Sequence, residues 1–359
     1  MSQATNDLSV QSEEILLNIE GIPPTSSFWG CKGVILTFGT FDGVHRGHQA
    51  ILQKVIERAR ELQLPSAALV FRPRPIEAVR STSYPYLTAQ DETVRLIKEL
   101  GVEHVGVLKF TKELAEMRAG LFLPQLMLRL PICELWLGRD AIVGRGPEGQ
   151  LRSVCQIGEQ LGFGVEIFDP PNVTNKVDIH QHLFGVEDFN SITQNLGRQF
   201  KVPAYLTGAS DVEELEDVRR FKVLTPDLLL IPPDGDYVVR VCPASFGGVY
   251  PRPSAISGFG VISVMRGMMP DVKPRLSLLA GPEPGWGESF VNIEFVKAIK
   301  LCPKQLWQAA SEYREEKNMP ISNHIHAALS SVGQQVLPER EELLRMFIRN
   351  GHLTTPQQF

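Results

Sequence analysis

From Gly33 onward the chain alternates short apolar runs with amphipathic stretches. GVILTFGT (33–40) is apolar almost throughout and contains two glycines, the form of a strand buried on both faces of a parallel sheet. Ile51, Leu52, Val55, Ile56, Ala59 and Leu62 then recur at helical spacing, with Lys54, Glu57 and Arg58 on the opposite face, until Pro65 stops the pattern. The same periodicities predict strands at 66–71, 104–110, 133–138 and 164–168. They predict a helix beginning near Ala89 and ending at Gly101, a helical region over 111–130 interrupted near Gly120 and Pro124, and a helix over 151–161. Regular alternation of strand and helix with short connections predicts an α/β fold with a Rossmann-like, doubly wound parallel sheet. Such sheets take ligands beyond the carboxyl ends of their strands, so the loops after Thr37, Phe71, Phe110 and Leu137 are the first candidates for a site.

After Pro170–Pro171 the pattern changes. A helix over 186–197 is followed by the runs PAYLTG, DLLLI, YVVRV, GVISVM, RLSLLA and FVNIEFV, with Gly and Pro dense between them. Closely spaced strands with turn residues between them predict a small antiparallel β-barrel. DVEELEDVRR (211–220) reads as a solvated helix face, and helical patches at 304–316 and 338–349 close the chain. The expected organisation is a leader over 1–30, an α/β domain over 31–185, a barrel over 186–318 and a helical tail over 319–359.

Charge and cysteine usage narrow the class. With 36 Lys+Arg against 41 Asp+Glu the net charge is −5, so there is no basic excess to replace phosphate counterions, and no nucleic-acid partner is expected. No apolar run approaches the ~20 residues that span a bilayer, and the acidic, polar N-terminal stretch reads as neither signal nor transit peptide. Cys31, Cys133, Cys155, Cys242 and Cys302 are scattered, without a CxxC pair, as expected of thiols in a reducing compartment. The reading is a cytoplasmic protein with small-molecule partners, monomeric or weakly self-associating.

The chemistry concentrates in TFGTFDGVHRGHQAIL, which joins the first strand to its helix. Gly39 and Gly43 allow a tight turn and close approach of a ligand. His45 and His48 flank Gly47 at the opening of the helix, where the backbone amides and the positive end of the dipole favour an anion. With no cysteine or carboxylate pair beside them, the two imidazoles suit a triphosphate better than zinc. Asp42 reads as a brace for the turn. His104, His324, His326 and His352 read as surface or core residues.

GTFDGVHRGHQ (39–49) resembles the signature of the bacterial bifunctional riboflavin kinase/FMN adenylyltransferases, within the HxGH nucleotidyltransferase superfamily. FRPRP (71–75) stands where that family carries FxPHP, with Arg74 in place of the histidine. LTAQDETVRLIKELGVEHV is similar to its LTxxEEK…LGVD segment, and LGRDAIVGRG (137–146) to its VGxDFRFGRG. The resemblance implies a transferase of FAD biosynthesis that makes FAD from FMN and ATP with Mg²⁺. Catalysis would fall on His45 and His48. ATP or FMN binding would fall on Phe38, Gly39, Thr40, Phe41, Asp42, Gly43, Gly47, Gly138, Asp140, Gly144 and Arg145. Read without the resemblance, Arg139 and Arg145 are solvated loop cations.

The chain departs from the family in two places. Where the family has ISSTRIR, this chain has NKVDIHQHL (175–183), in which His180 and His182 are the only candidate replacements. IPPDGDYVVRV (231–241) is similar to the kinase module, but the kinase site is degenerate. GFPTAN becomes VLTPD with Thr225 and Asp227, and the catalytic carboxylate of VEVHLL falls on Arg275, a cation that cannot accept a proton from riboflavin. Trp286 reads as a packing residue at the barrel lip or as a flavin-stacking ring. Kinase activity is expected to be absent or weak. The rival readings are a pseudoenzyme that binds flavin or nucleotide, and an adenylyltransferase for another phosphorylated acceptor such as a nicotinamide or pantetheine nucleotide.

Overall fold

A computed structural model describes residues 17–28, 33–80, 85–169, 189–212, 215–226, 228–244, 258–265, 274–280 and 289–299. The chain divides into two units, Met1–Thr174 and Asn175–Phe359. The 170–188 stretch holding the expected 185/186 boundary, the NKVDIHQHL segment and the closing helical patches lie outside the described residues.

The first unit contains a six-stranded sheet in the order β1-β4-β3-β2-β5-β6, as the alternating pattern predicts. β2 (Val34–Gly39), β3 (Ser66–Arg72), β4 (His104–Lys109), β5 (Ile132–Gly138) and β6 (Gly164–Phe168) pair in parallel. β3 is buried at all seven positions, which is why its middle, residues 67–71, is continuously apolar rather than alternating. β2 lies between β3 and β5, so the chain winds outward from it in both directions. The loop leaving β2 therefore stands at the topological switch point, where the sheet opens a crevice.

α1 (Arg46–Leu62) buries Ile51, Leu52, Val55, Ile56 and Ala59 along one face. It ends at Gln63, whose φ of 56° turns the chain and lets its amide bond the last helical carbonyls. α2 (Pro75–Arg80), α3 (Gln90–Glu99), α4 (Lys112–Glu116), α5 (Ala119–Arg129) and α6 (Leu151–Leu161) complete the unit. One core cluster gathers Leu36, Leu69, Leu108, Leu123, Leu126 and Leu135, and a second gathers Leu52, Ile56, Val70, Ile97 and Val105.

Three sequence expectations change here. Pro124 lies inside α5 and does not interrupt it; the break falls at Met117 and Arg118, both in extended backbone. Burial of Phe122, Leu123 and Leu126 anchors α5 against the loss of one backbone bond at the proline. The leader contributes β1 (Ile19–Glu20), antiparallel to β4 at the sheet edge. The short α2 has no counterpart in the periodicity, because one and a half turns are too few to display it.

The second unit is a closed antiparallel barrel in the order β10-β11-β8-β7-β12-β9, as predicted. Its strands are β7 (Lys201–Val212), β8 (Leu215–Leu224), β9 (Gly235–Pro243), β10 (Gly258–Met265), β11 (Arg275–Ala280) and β12 (Ser289–Ile299). Before them, α7 (Phe189–Leu196) sets Phe189 against Tyr237 and Phe295 at centroid distances of 5.8 and 5.9 Å. The described residues of DVEELEDVRR lie in antiparallel strands rather than a helix: Asp211 pairs with Arg219 and Val212 with Leu215. Strand pairing overrides the local helical charge pattern. Of DLLLI, Leu228 lies in a turn at φ 60°, Leu229 forms an isolated bridge, and Leu230 and Ile231 are buried without joining a strand.

One ion pair ties α1 to β5: Arg58 donates two hydrogen bonds to Glu134 Oε1, at 3.1 and 2.8 Å, and Trp136 Nε1 donates to Oε2 at 3.2 Å. The Arg58 guanidinium holds the Glu134 carboxyl below the usual carboxylate range. The stabilisation is present above the ordinary glutamate pKa and is lost as pH falls through the lower folded-state value. Glu134→Gln should lower the unfolding midpoint near pH 7, and the gap from the parent should close toward pH 3; melts at the two pH values check this.

Candidate active site

The loop leaving β2 is built on unusual backbone. Phe41 has φ 44°, Gly43 78° and Val44 39°, three left-handed residues within four positions. For residues with a Cβ this conformation costs roughly 1–3 kcal/mol each and persists only where the surroundings over-determine it. Asp42 is what holds it. Its side chain is fully buried, and Oδ1 accepts from the Leu87 and Thr88 amides at 2.9 and 3.3 Å. Oδ2 accepts from Arg74 Nη2 at 2.6 Å. Gly43 N–H donates to Thr88 Oγ1 at 3.1 Å, and Gln49 Nε2 to the Val44 carbonyl at 2.8 Å. The turn is thus fastened to the 85–88 segment that enters α3.

Around this clamp lies a buried, charge-balanced cluster. Asp42, Glu77, Arg72 and Arg74 are all nine-tenths or more buried. Both guanidinium carbons lie 4.0 Å from the centroid of the Tyr86 ring. Glu77 accepts from the Tyr86 hydroxyl and, at 2.9 Å, from the Arg74 amide. Burial, and then the Glu77 carboxylate, pushes the Tyr86 phenol above its ordinary pKa. Arg74 Nη2 also donates to the Pro85 carbonyl at 2.8 Å, and Arg72 Nη2 to Thr93 Oγ1 at 3.1 Å.

The chain leaves the clamp at His45, which caps α1 with its ring. Nδ1 accepts from the Gly47 and His48 amides at 3.2 and 3.4 Å, so the proton of the neutral ring sits on Nε2. Two of the first amides of α1 are therefore engaged by a buried imidazole, which relays the positive end of the helix to its ring N–H. The His48 ring stacks on that of His45 at 3.7 Å between centroids, and the Phe41 ring meets His48 edge-on at 5.3 Å. Phe41 and Asp42 thus act from inside the loop, while His45 and His48 form its head.

A second feature opens at the carboxyl ends of β2, β3 and β4. Phe38, Phe71, Phe110 and Phe122 line an apolar cavity of about 400 Å³, closed by residues of α2 and α4 and by Ile142–Gly144. Phe38 stacks on Phe71 at 5.4 Å and meets Phe122 edge-on at 5.9 Å. Gly144, at φ 75°, lets the loop after β5 lie on Met117 and Ala119; a Cβ there would stand 2.6 Å from the Met117 carbonyl oxygen. Gly138 ends β5, Asp140 beyond it is 90% exposed, and the exposed Arg145 pairs with Glu116. Arg139 pairs with Asp169, which raises its pKa.

In the barrel, Val223 stands opposite Leu276, so Thr225, just past β8, shares a rim with the exposed Arg275 at the start of β11. Asp227, Trp286, His180 and His182 lie outside the described residues.

The family model for FAD synthetase matches residues 30–180, a span that contains the imidazole pair, the clamp and the aromatic cavity. Residues 30–180 form a FAD synthetase family domain. Over 136 residues the chain is 35% identical to the bifunctional riboflavin kinase/FMN adenylyltransferase of Escherichia coli K12, covering 37% of this chain and 44% of the relative. It is 31% identical over 175 residues to the enzyme of that name from Pseudomonas fluorescens, covering 48% and 56%. A putative enzyme of that name from Geobacillus thermodenitrificans is 34% identical over 119 residues, covering 33% and 65%. The matched region spans about half the length of these curated relatives. In overall fold the chain is similar to the crystal structure of a macrolide-efflux protein from Streptococcus pneumoniae, with a TM-score of 0.63 at 17% identity, covering 83% of this chain and 98% of that one.

Motif reading of the FAD synthetase domain finds the two histidines and Asp42, the brace of the turn, and misses the residues that hold Asp42. Arg72, Glu77, Tyr86, Thr88 and Thr93 belong to no spacing that announces a site. The one visible signal is a pair of arginines, Arg72 and Arg74, directly after a wholly buried strand. The cap yields a prediction. His45→Ala should cost about 1 kcal/mol of stability through loss of the cap. His45→Asn should restore most of that in a denaturant titration.

Proposed function

We propose that the FAD synthetase domain transfers the adenylyl group of ATP to the phosphate of FMN, giving FAD and pyrophosphate. The observation that carries this reading is the stacked His45–His48 pair at the mouth of α1, beyond the carboxyl end of the central strand. The acceptor is its own nucleophile: a phosphate monoester has a second pKa of ~6 and is mostly dianionic at neutral pH, so no strong base is required. One of its oxygens attacks the α-phosphorus of ATP. The bond from that phosphorus to the bridging oxygen breaks, and pyrophosphate leaves with the electron pair. The domain's task is then alignment and charge neutralisation, supplied by the His45 Nε2–H, the His48 ring and the dipole of α1.

Mg²⁺ would enter as the ATP complex, ligated mainly by phosphate oxygens and water, and would spread the negative charge of the triphosphate. Among the described residues no group of three or more His, Cys, Asp or Glu side chains gathers to cage a metal. The aromatic cavity has the size and lining for a flat apolar ring system, and the isoalloxazine is assigned there, between Phe38, Phe71, Phe110 and Phe122. Asp140 and Arg145, exposed on the loop after β5, are assigned to polar contacts with the substrates. Kinase activity is not assigned to the barrel, because Arg275 is a cation at the rim position where proton abstraction would need a carboxylate. Among the described residues no helix is long and apolar enough to cross a membrane.

Purified chain incubated with ATP, Mg²⁺ and FMN should release FAD and pyrophosphate, followed by chromatography. His48→Ala should slow this by about 10²–10³-fold, as loss of one transition-state donor does. Binding of ATP and FMN without turnover would establish the pseudoenzyme instead. Turnover only with another phosphorylated acceptor would establish a different adenylyltransferase. With riboflavin in place of FMN, no FMN should form; its appearance would return the kinase to the barrel.

A further inference from the structure

We infer that Arg74 is a positioning residue for the triphosphate subsite, acting through Asp42 on the left-handed turn that aims His45 and His48; this rests on the proposed adenylyl transfer. No ligand need touch Arg74, which is 7% exposed and has its Nη2 engaged by Asp42 and the Pro85 carbonyl.

The chain of contact is continuous. Arg74 Nη2 reaches Asp42 Oδ2 at 2.6 Å, Asp42 Oδ1 takes the Leu87 and Thr88 amides, and Asp42 sits between the left-handed Phe41 and Gly43. Val44, also left-handed, follows, and then the capping ring of His45. Each left-handed residue with a Cβ would relax toward ordinary backbone if released. Relaxation would rotate the peptide units that lead into the cap and shift the stacked rings. A misplacement of about 1 Å at such a site costs on the order of 10²-fold in rate.

Arginine suits this position because one planar group meets several demands together. It bonds the carboxylate and the Pro85 carbonyl while its face lies against the Tyr86 ring. A lysine presents a compact charge that can keep the carboxylate but not the stack. Removing the cation altogether would leave a buried carboxylate without the guanidinium that neutralises it, a change costly to the fold. FRPRP is also where this chain carries an arginine in place of the histidine of the family it resembles, so the clamp belongs to this chain's own residues.

The test uses the full chain with Arg74→Lys, Arg74→Met and Asp42→Asn. It measures Mg-ATP affinity by calorimetry, FMN affinity by flavin fluorescence quenching, and FAD formation, all well below each melting temperature. Arg74→Met and Asp42→Asn should weaken Mg-ATP binding at least 10-fold and leave FMN affinity within threefold. Arg74→Lys should recover much of the ATP affinity. If Arg74→Met does not fold, the same split between ATP and FMN in Arg74→Lys and Asp42→Asn decides. Unchanged ATP affinity, or equal losses for both ligands, would overturn the positioning role and leave the proposed function standing. A parent protein that binds ATP but makes no FAD would overturn that function alone, and a parent that binds no ATP would overturn both.

Discussion

A fully buried carboxylate holds the head of this molecule in a conformation the backbone would not choose. Asp42 accepts two amides and a guanidinium, and on either side of it the chain runs through left-handed φ values. Burying an ion pair is not by itself stabilising, because desolvation of both groups can exceed their attraction. Here the desolvation is offset by the hydrogen bonds to both carboxylate oxygens of Asp42, by the Tyr86 ring beside two guanidiniums, and by a second carboxylate, Glu77, that balances the charge. What this network secures is one shape for the loop.

That shape matters because of where the loop stands. β2 is the strand from which the sheet winds outward both ways, so its carboxyl end opens onto a crevice rather than onto a neighbouring connection. α1 begins there, and its first amides are gathered by the ring of His45. The helix dipole is then presented as a directional N–H on a side chain. His48, stacked on it, adds a second polar edge. Beside it, Phe38, Phe71 and Phe110 at strand ends and Phe122 of α5 line an apolar cavity. A charged subsite and an apolar one at the same end of one sheet suit a molecule with a phosphate tail and a flat ring.

In the second unit, frame and rim answer to different constraints. The barrel closes through all six strands, and its interior is filled by residues such as Phe221 and Phe295. Those positions depend on alternation and volume. Thr225, just past β8, and the exposed Arg275, at the start of β11, stand on a rim where a side chain contributes little to packing, so the frame leaves residue type there free.

Much of this was legible along the chain. Continuous apolar runs mean burial on both faces, and helical spacing means burial on one. The parallel sheet, α1 and the barrel follow from those rules, and two imidazoles flanking a glycine at a helix opening mark the site. Misread segments were those where local pattern and tertiary demand disagree: the sequence of 211–220 looks helical but its described backbone pairs as two strands, and Pro124 looks like a stop but lies in a helix anchored by its buried face. Of the clamp only Asp42 was legible, as a brace for the turn; its partners were not. Arg74, Glu77, Tyr86 and Thr88 are brought to it by folding from separate segments, and a buried charge differs from an exposed one only in what surrounds it. Residue type and periodicity determine which elements form. The partner that each buried polar group finds is decided in three dimensions, because only the packed fold excludes the water that would otherwise serve every such group equally well.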